Sequence, residues 1–212
     1  MTKVGPNCLM RTLVVAIVFL LNGSSLFSQQ PAKKIPTLPR KSAPLATGTI
    51  ADNVYRNPEL GITYKTLVGW VDRTSQARGE PENSSGQVLL AAFERPPEVS
   101  GDGINSAIII AAESLASYPG VKTAADYFDP LTEATTSQGF KVVNEPYEVT
   151  VGAKLLVRSD FSKETGKFTM HQSSLVMLSK GYAVSFTFIG GSEDEVEQLI
   201  ERLNFTSASV KR

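Results

Sequence analysis

His171 is the only imidazole in this 212-residue chain and Cys8 the only thiol. A serine or cysteine triad needs a histidine base beside its nucleophile, and no G-x-S-x-G elbow or S-x-x-K pair occurs. Gly166-Lys167 is followed by Phe168 and so fails to complete a phosphate loop. Gly101-Asp-Gly103 is only a fragment of a dinucleotide fingerprint. One histidine cannot build a histidine-rich zinc site, which takes about four N or S ligands, so a structural or surface role is expected of His171. Asp126, Asp129 and Glu133 fall on one helical face with Lys122, a spacing better explained by charge pairing on a solvated surface than by a cation site. No catalytic residue, cofactor or metal ligand is assigned, and the expectation is that the chain is not an enzyme.

The remaining candidates are contact residues. Trp70 is the single tryptophan, and aromatic side chains are enriched at binding hot spots. Asp72 to Gly86 is polar and without period, and reads as a long loop. If the strands at 87–94 and 106–113 pair antiparallel, the connection after Ser114 returns to the end where that loop lies. Trp70, Arg73, Arg78 and Tyr118 would then gather at one pole, with Glu80 beside them, as a candidate partner-binding surface.

The elements behind those residues follow from pattern. Lys167 to Phe205 reads as strand, turn, strand and capped helix. In Tyr182-Ala-Val-Ser-Phe-Thr-Phe-Ile189, the residues Tyr182, Val184, Phe186 and Phe188 share one face. Val196, Leu199, Ile200 and Leu203 recur at helical spacing and could pack on it. Ser192 and Glu195 match a capping box. Val54-Tyr55 and Ile62-Thr-Tyr64 are short extended pieces around the turn Asn57-Pro-Glu-Leu-Gly61, the second continuing toward Trp70. Gln87–Glu94 and Ser106–Glu113 are apolar enough to be covered on both faces. Val121, Ala124, Ala125, Phe128, Leu131 and Thr135 form a helical stripe that Pro130 should kink, or restart with Asp129 as cap, and Gly139 should end. Phe140–Val143, Tyr147–Val151 and Lys154–Phe161 are three further strands. Hairpin-length connections with one crossover helix predict an α+β domain, a largely antiparallel sheet covered by helices.

Residues 1–28 have the form of a cleaved secretory signal: Lys3 and Arg11, the apolar run Leu13–Leu21, then Asn22-Gly-Ser-Ser25 and Ser28. That run is too short for a membrane span, which needs about 20 residues. Cys8 precedes it, so no lipid anchor is expected, and the remainder would carry no cysteine. The formal charge is zero for the whole chain and −2 without Lys3 and Arg11, which gives no reason to expect a nucleic-acid partner. Residues 29–49, with four prolines and four basic residues, read as a solvated linker, residues 50–206 as a single domain, and 207–212 as a tail.

Tyr55-Arg-Asn-Pro-Glu-Leu-Gly-Ile-Thr-Tyr64 leading to Gly69-Trp70, the helix before Gly139-Phe140, and Gly181-Tyr-Ala-Val-Ser-Phe-Thr-Phe188 with its capped helix and Leu203-Asn-Phe205 together resemble the PsbP-like family. Thr66-Leu67-Val68 departs from it where that family commonly has a proline before Gly-Trp. The resemblance implies an α/β/α sandwich over residues 50–206 that serves as a binding or assembly module. It transfers no metal or photosystem residue.

The expectation for function is therefore an exported, non-enzymatic binding or accessory protein of the bacterial cell envelope, extracytoplasmic (periplasmic or secreted), acting through contact with a protein partner. The alternatives are a carrier of a small apolar ligand held between sheet and helix, and an enzyme with an unrecognised site.

Overall fold

A computed structural model of the chain describes residues 45–78 and 86–206. In chain order the elements are β1 (Thr49–Ala51), β2 (Val54–Asn57), β3 (Ile62–Lys65), β4 (Val71–Asp72), α1 (Thr74–Ala77), β5 (Gly86–Phe93), β6 (Ala107–Ser114), α2 (Phe128–Ser137), β7 (Lys141–Val151), β8 (Lys154–Thr165), β9 (Phe168–Ser179), β10 (Tyr182–Gly190), α3 (Glu193–Ile200) and β11 (Leu203–Phe205). The fold is α+β, and its sheets are antiparallel.

β10 is buried along its whole length, so it needs cover on both faces. It sits at the centre of a seven-stranded sheet ordered β4-β5-β6-β10-β9-β8-β7. On the first face Tyr182, Val184, Phe186 and Phe188 meet Val196, Leu199 and Ile200 of α3 and Leu203 of β11, the pairing expected from their spacing. The second face takes α2 through Phe128 and Leu131 against Val176 and Ala183. It takes α1 through Ala77 near Ala107, Ile109 and Ile189.

Helices do not cover the first face alone. A second, four-stranded sheet, β1-β2-β3-β11, lies there with α3. Phe205 of β11 meets Phe186 edge-on at 5.8 Å, and Tyr64 of β3 lies 6.1 Å from Phe188. The strand β11 comes from the far end of the chain and pairs with β3, Leu203 opposite Tyr64. Such a long-range pairing leaves no local pattern for sequence to show. β1 and β2 join through Asp52 and Asn53, both at positive φ, the requirement of a two-residue primed turn.

Other expectations are corrected in detail. The folded body already includes Leu45, which is buried in the main core. Ala46 and Thr47 are held by Asn57 and Tyr55, so five residues assigned to the linker belong to the domain. β3 ends at Lys65 and does not run on toward Trp70. The stretch after Asp72 is not all loop. Asp72 Oδ1 accepts the Thr74 N–H at 2.9 Å and starts the single turn of α1. α2 begins at Phe128, not after Gly120, which places Pro130 in its first turn where a missing N–H costs nothing. Gly139, at φ +87°, ends it as expected. Residues 141–151 form one strand, not two. It tolerates Pro146 because β7 is a sheet edge, and it is irregular on either side of Asn144. The signal-like segment, Cys8, most of the linker, Glu80 and the tail lie outside the described residues. No helix among the described residues is long and apolar enough to cross a membrane.

Candidate functional site

The pole proposed from sequence does not form. Val71 pairs with Phe93 at one end of β5, while Gly86 at the other end pairs with Glu113 of β6. Trp70 therefore stands at the Phe93 end and packs against the first-face core. Tyr118 follows the Glu113 end and packs with Tyr127, 5.4 Å away, on the second face. At about 3.3 Å per residue the length of β5 keeps them roughly 20 Å apart. Arg73 is tied to Glu98, and Arg78 Nε donates to the Val88 carbonyl at 3.0 Å. The Glu113 carboxylate accepts from the Tyr118 hydroxyl. Trp70 and Arg73 thus lie toward the Phe93 end, Arg78 reaches Val88 nearer the other end and Tyr118 lies beyond Glu113, with both arginines and Tyr118 engaged in intramolecular bonds.

A different cluster comes together at the other edge of the sheet. β7, β8 and β9 present Tyr147, Arg158 with Asp160, and His171 with Ser173 on the first face. The start of α3 closes over them with Glu193, Val196 and Glu197. The result is a cleft of about 170 Å³. The placement follows from strand parity. Ser173 pairs with Asp160 and Tyr147 with Arg158, so these side chains share one face.

Asp160 is the hub. Its Oδ1 accepts from Arg158 Nε at 2.7 Å and from the Ser173 hydroxyl, and its Oδ2 accepts from Asn144 Nδ2 and Tyr147 Oη, each at 3.1 Å. A carboxylate offers about four lone-pair sites, so none is left for a ligand. The guanidinium of Arg158 also reaches Glu197 at 2.5 Å and donates to Ser173 Oγ at 3.0 Å. It lies 5.9 Å from the Tyr147 ring centroid.

The electrostatics agree with this wiring. Burial alone would raise the Asp160 carboxyl. The hydrogen bonds from Ser173 and Arg158, the charge of Arg158 and the Asn144 amide outweigh it and hold the group below the usual carboxylate range. Burial likewise opposes the charge of Arg158, and the bonds to Glu197 and Asp160 more than restore it. The Tyr147 phenol is pushed up to about 12, by burial first and then by the neighbouring Asp160. The interior of the cleft thus holds an ionised pair, Arg158 and Asp160, beside a neutral Tyr147 phenol.

Its rim is open. Glu193 is 79% exposed and Glu197 50%. Val143 and Tyr147, at 48% and 41%, are two of the large apolar side chains left exposed. His171 Nδ1 stands 3.9 Å from Glu193. Ser173 gives its hydroxyl hydrogen bond to Asp160, a carboxylate held below its usual range and so a weak base for activating that hydroxyl. Asp126 caps the backbone of Lys122 and Thr123. No cluster of three or more potential metal ligands occurs among the described residues.

Sequence reasoning gives His171, which lines this cleft, only a structural or surface role. The signal it passed over was Arg158 and Asp160, two residues apart between Leu155-Leu156 and Phe161. That spacing puts two opposite charges on one face of a strand with apolar neighbours. The identities of Asn144 and Ser173 as partners depend on register, which no local pattern displays.

No family model matches the chain, and no curated protein matches it. Solved structures give distant likenesses. One is a Bacteroides thetaiotaomicron protein, 12% identical over 72% of this chain at a TM-score of 0.37. This chain spans about half of that protein's length, 47%. Another is PA94 of Pseudomonas aeruginosa, a protein of unknown function, 14% identical over 48% of this chain and 68% of its own, TM-score 0.34. A third is LpqN of Mycobacterium tuberculosis, involved in cell envelope biogenesis, 16% identical over 69% of this chain and 83% of its own, TM-score 0.37. Likenesses this slight carry no argument about activity or partners.

Proposed function

We propose that this chain is an exported, non-enzymatic accessory protein of the bacterial cell envelope that binds a protein partner through the cleft between β7 and α3. The observation that carries this reading is the saturation of Asp160 by four donors beneath an exposed rim. Groups so fixed hold a surface in shape for recognition. Export rests on the signal-like form of residues 1–28, and an assembly role is what the PsbP-like resemblance of residues 50–206 implies. The charged side chains among the cleft's lining, Arg158, Asp160, Glu193 and Glu197, favour this reading over an apolar carrier, whose site would be lined mostly by hydrophobic side chains.

Affinity capture from the native envelope, with the wild-type chain and with a Tyr147→Ala/Glu193→Lys variant, tests it. The expected result is one protein recovered by the wild type and depleted about tenfold by the variant, a loss of roughly 1.4 kcal/mol. Equal recovery by both, or a co-purifying small apolar molecule with no protein, contradicts it.

A further inference from the structure

We infer that β7 is an open docking edge, to which an extended segment of the partner adds as a further strand and from which that segment places a lysine or arginine side chain in the cleft. This rests on the binding role given to the cleft above and names the chemistry of its occupant.

The edge is the first observation. Among the described residues β7 pairs only with β8, and ten of its eleven residues are exposed or half-buried. In an antiparallel edge strand, alternate residues point their backbone N–H and C=O away from the sheet. The opposite edge of this sheet, β4, has two residues and offers no comparable ladder. Bare edges of this length are usually blunted, and β7 is blunted only in its first half. The irregularities around Asn144 and the missing N–H of Pro146 lie there. From Tyr147 to Val151 the register against Arg158–Lys154 is unbroken. That stretch is the part able to accept a strand by backbone hydrogen bonding.

The cleft is the second observation, and it selects the side chain. Tyr147 lies on the cleft face of β7, so a residue paired opposite it points the same way. Such a side chain first crosses the exposed apolar atoms of Val143 and Tyr147. It then meets Glu193 and Glu197 on α3, with Asp160 saturated behind them. An aliphatic stem ending in a cation fits that sequence of surfaces. The formal charges facing the cleft are three carboxylates, Asp160, Glu193 and Glu197, against one guanidinium, Arg158, with His171 beside them. On β7 itself Glu145 is a further exposed acid and Glu148 is exposed on the opposite face, while exposed Lys141 opens the strand and exposed Lys154 stands opposite Val151. A second copy of this chain would bring the same acidic rim against itself, so charge complementarity points to a basic segment of a different protein.

The test uses the 212-residue chain and a short peptide of alternating threonine and valine with one central lysine. Its controls are the same peptide with glutamate at the centre and the lysine peptide N-methylated at alternate amides. Backbone amide NMR should show shifts confined to Tyr147–Val151 and the cleft. The lysine peptide should bind about tenfold tighter than the glutamate peptide, and N-methylation should abolish the effect. Glu193→Gln should erase most of the lysine preference, and because that side chain is so exposed the variant keeps the fold. Equal affinity for the two peptides, shifts elsewhere, or no binding at millimolar peptide overturns the inference. So does concentration-dependent dimerisation through β7. If a protein is still captured through the cleft but the lysine peptide does not compete with it, the inference fails while the partner-binding reading stands. If no protein is captured at all, that reading fails first.

Discussion

Arg158 Nε donates to Asp160 Oδ1 at 2.7 Å across one pleat of β8, and both side chains are 12% exposed. The same guanidinium reaches Glu197 at 2.5 Å. One side chain thus links the last strands of the large sheet to α3. The cleft keeps its shape because this link holds the helix over β8 and β9.

Arg158→Met should destabilise the domain by about 3 kcal/mol, because it leaves a largely buried carboxylate without its counter-ion. Urea unfolding measures this. Replacing Asp160 by Asn in the same chain should cost less than the sum of the two single changes, since the charges are coupled.

Acid should weaken the fold through Asp160. Its folded carboxyl is held below its unfolded value, so the unfolded state binds the proton more readily and stability rises with pH in that window. The contribution is complete above the unfolded value of about 3.9 and is lost as pH falls from there through the lower folded value. Thermal unfolding followed from neutral pH to pH 2 should show a steeper acid limb for the wild type than for Asp160→Asn.

The start of α3 is fixed by two side chains. Ser192 Oγ accepts the Glu195 N–H at 3.2 Å. Glu195 accepts the Gly191 N–H at 2.8 Å and the hydroxyl of Ser106, just before β6. Ser192→Ala should cost about 1 kcal/mol. Glu195→Ala should cost more, because it also releases the helix from β6, and chemical denaturation of the two variants ranks them.

The surface first suggested by sequence makes an opposing prediction. Arg73→Gln with Arg78→Gln and Tyr118→Phe would abolish partner capture if those residues formed the contact. The cleft reading predicts capture within about twofold of wild type, a difference of roughly 0.4 kcal/mol.

What sequence showed and missed has a physical division. Periodicity exposed β10 and α3, because a strand buried on both faces and a helix with one apolar stripe carry their environment in local spacing. The capping pair Ser192 and Glu195 was legible for the same reason, although Glu195 serves Gly191 and not Ser192. The small sheet was not legible, since β11 meets β3 across most of the chain. The site was half legible: Arg158 and Asp160 announce an ionised face, whereas Ser173, Asn144 and Glu197 join them only through register and packing. Trp70 and Tyr118 fall apart although β5 and β6 do pair antiparallel, because β4 pairs at the Phe93 end of β5 and no local pattern displays that pairing.

The most direct measurement is site-specific photo-crosslinking in the native envelope, with the reactive group at position 143 on the cleft rim or at position 122, away from it. The account predicts one discrete protein adduct from position 143 and none from position 122. An adduct from position 122 alone, or none from either, would contradict it.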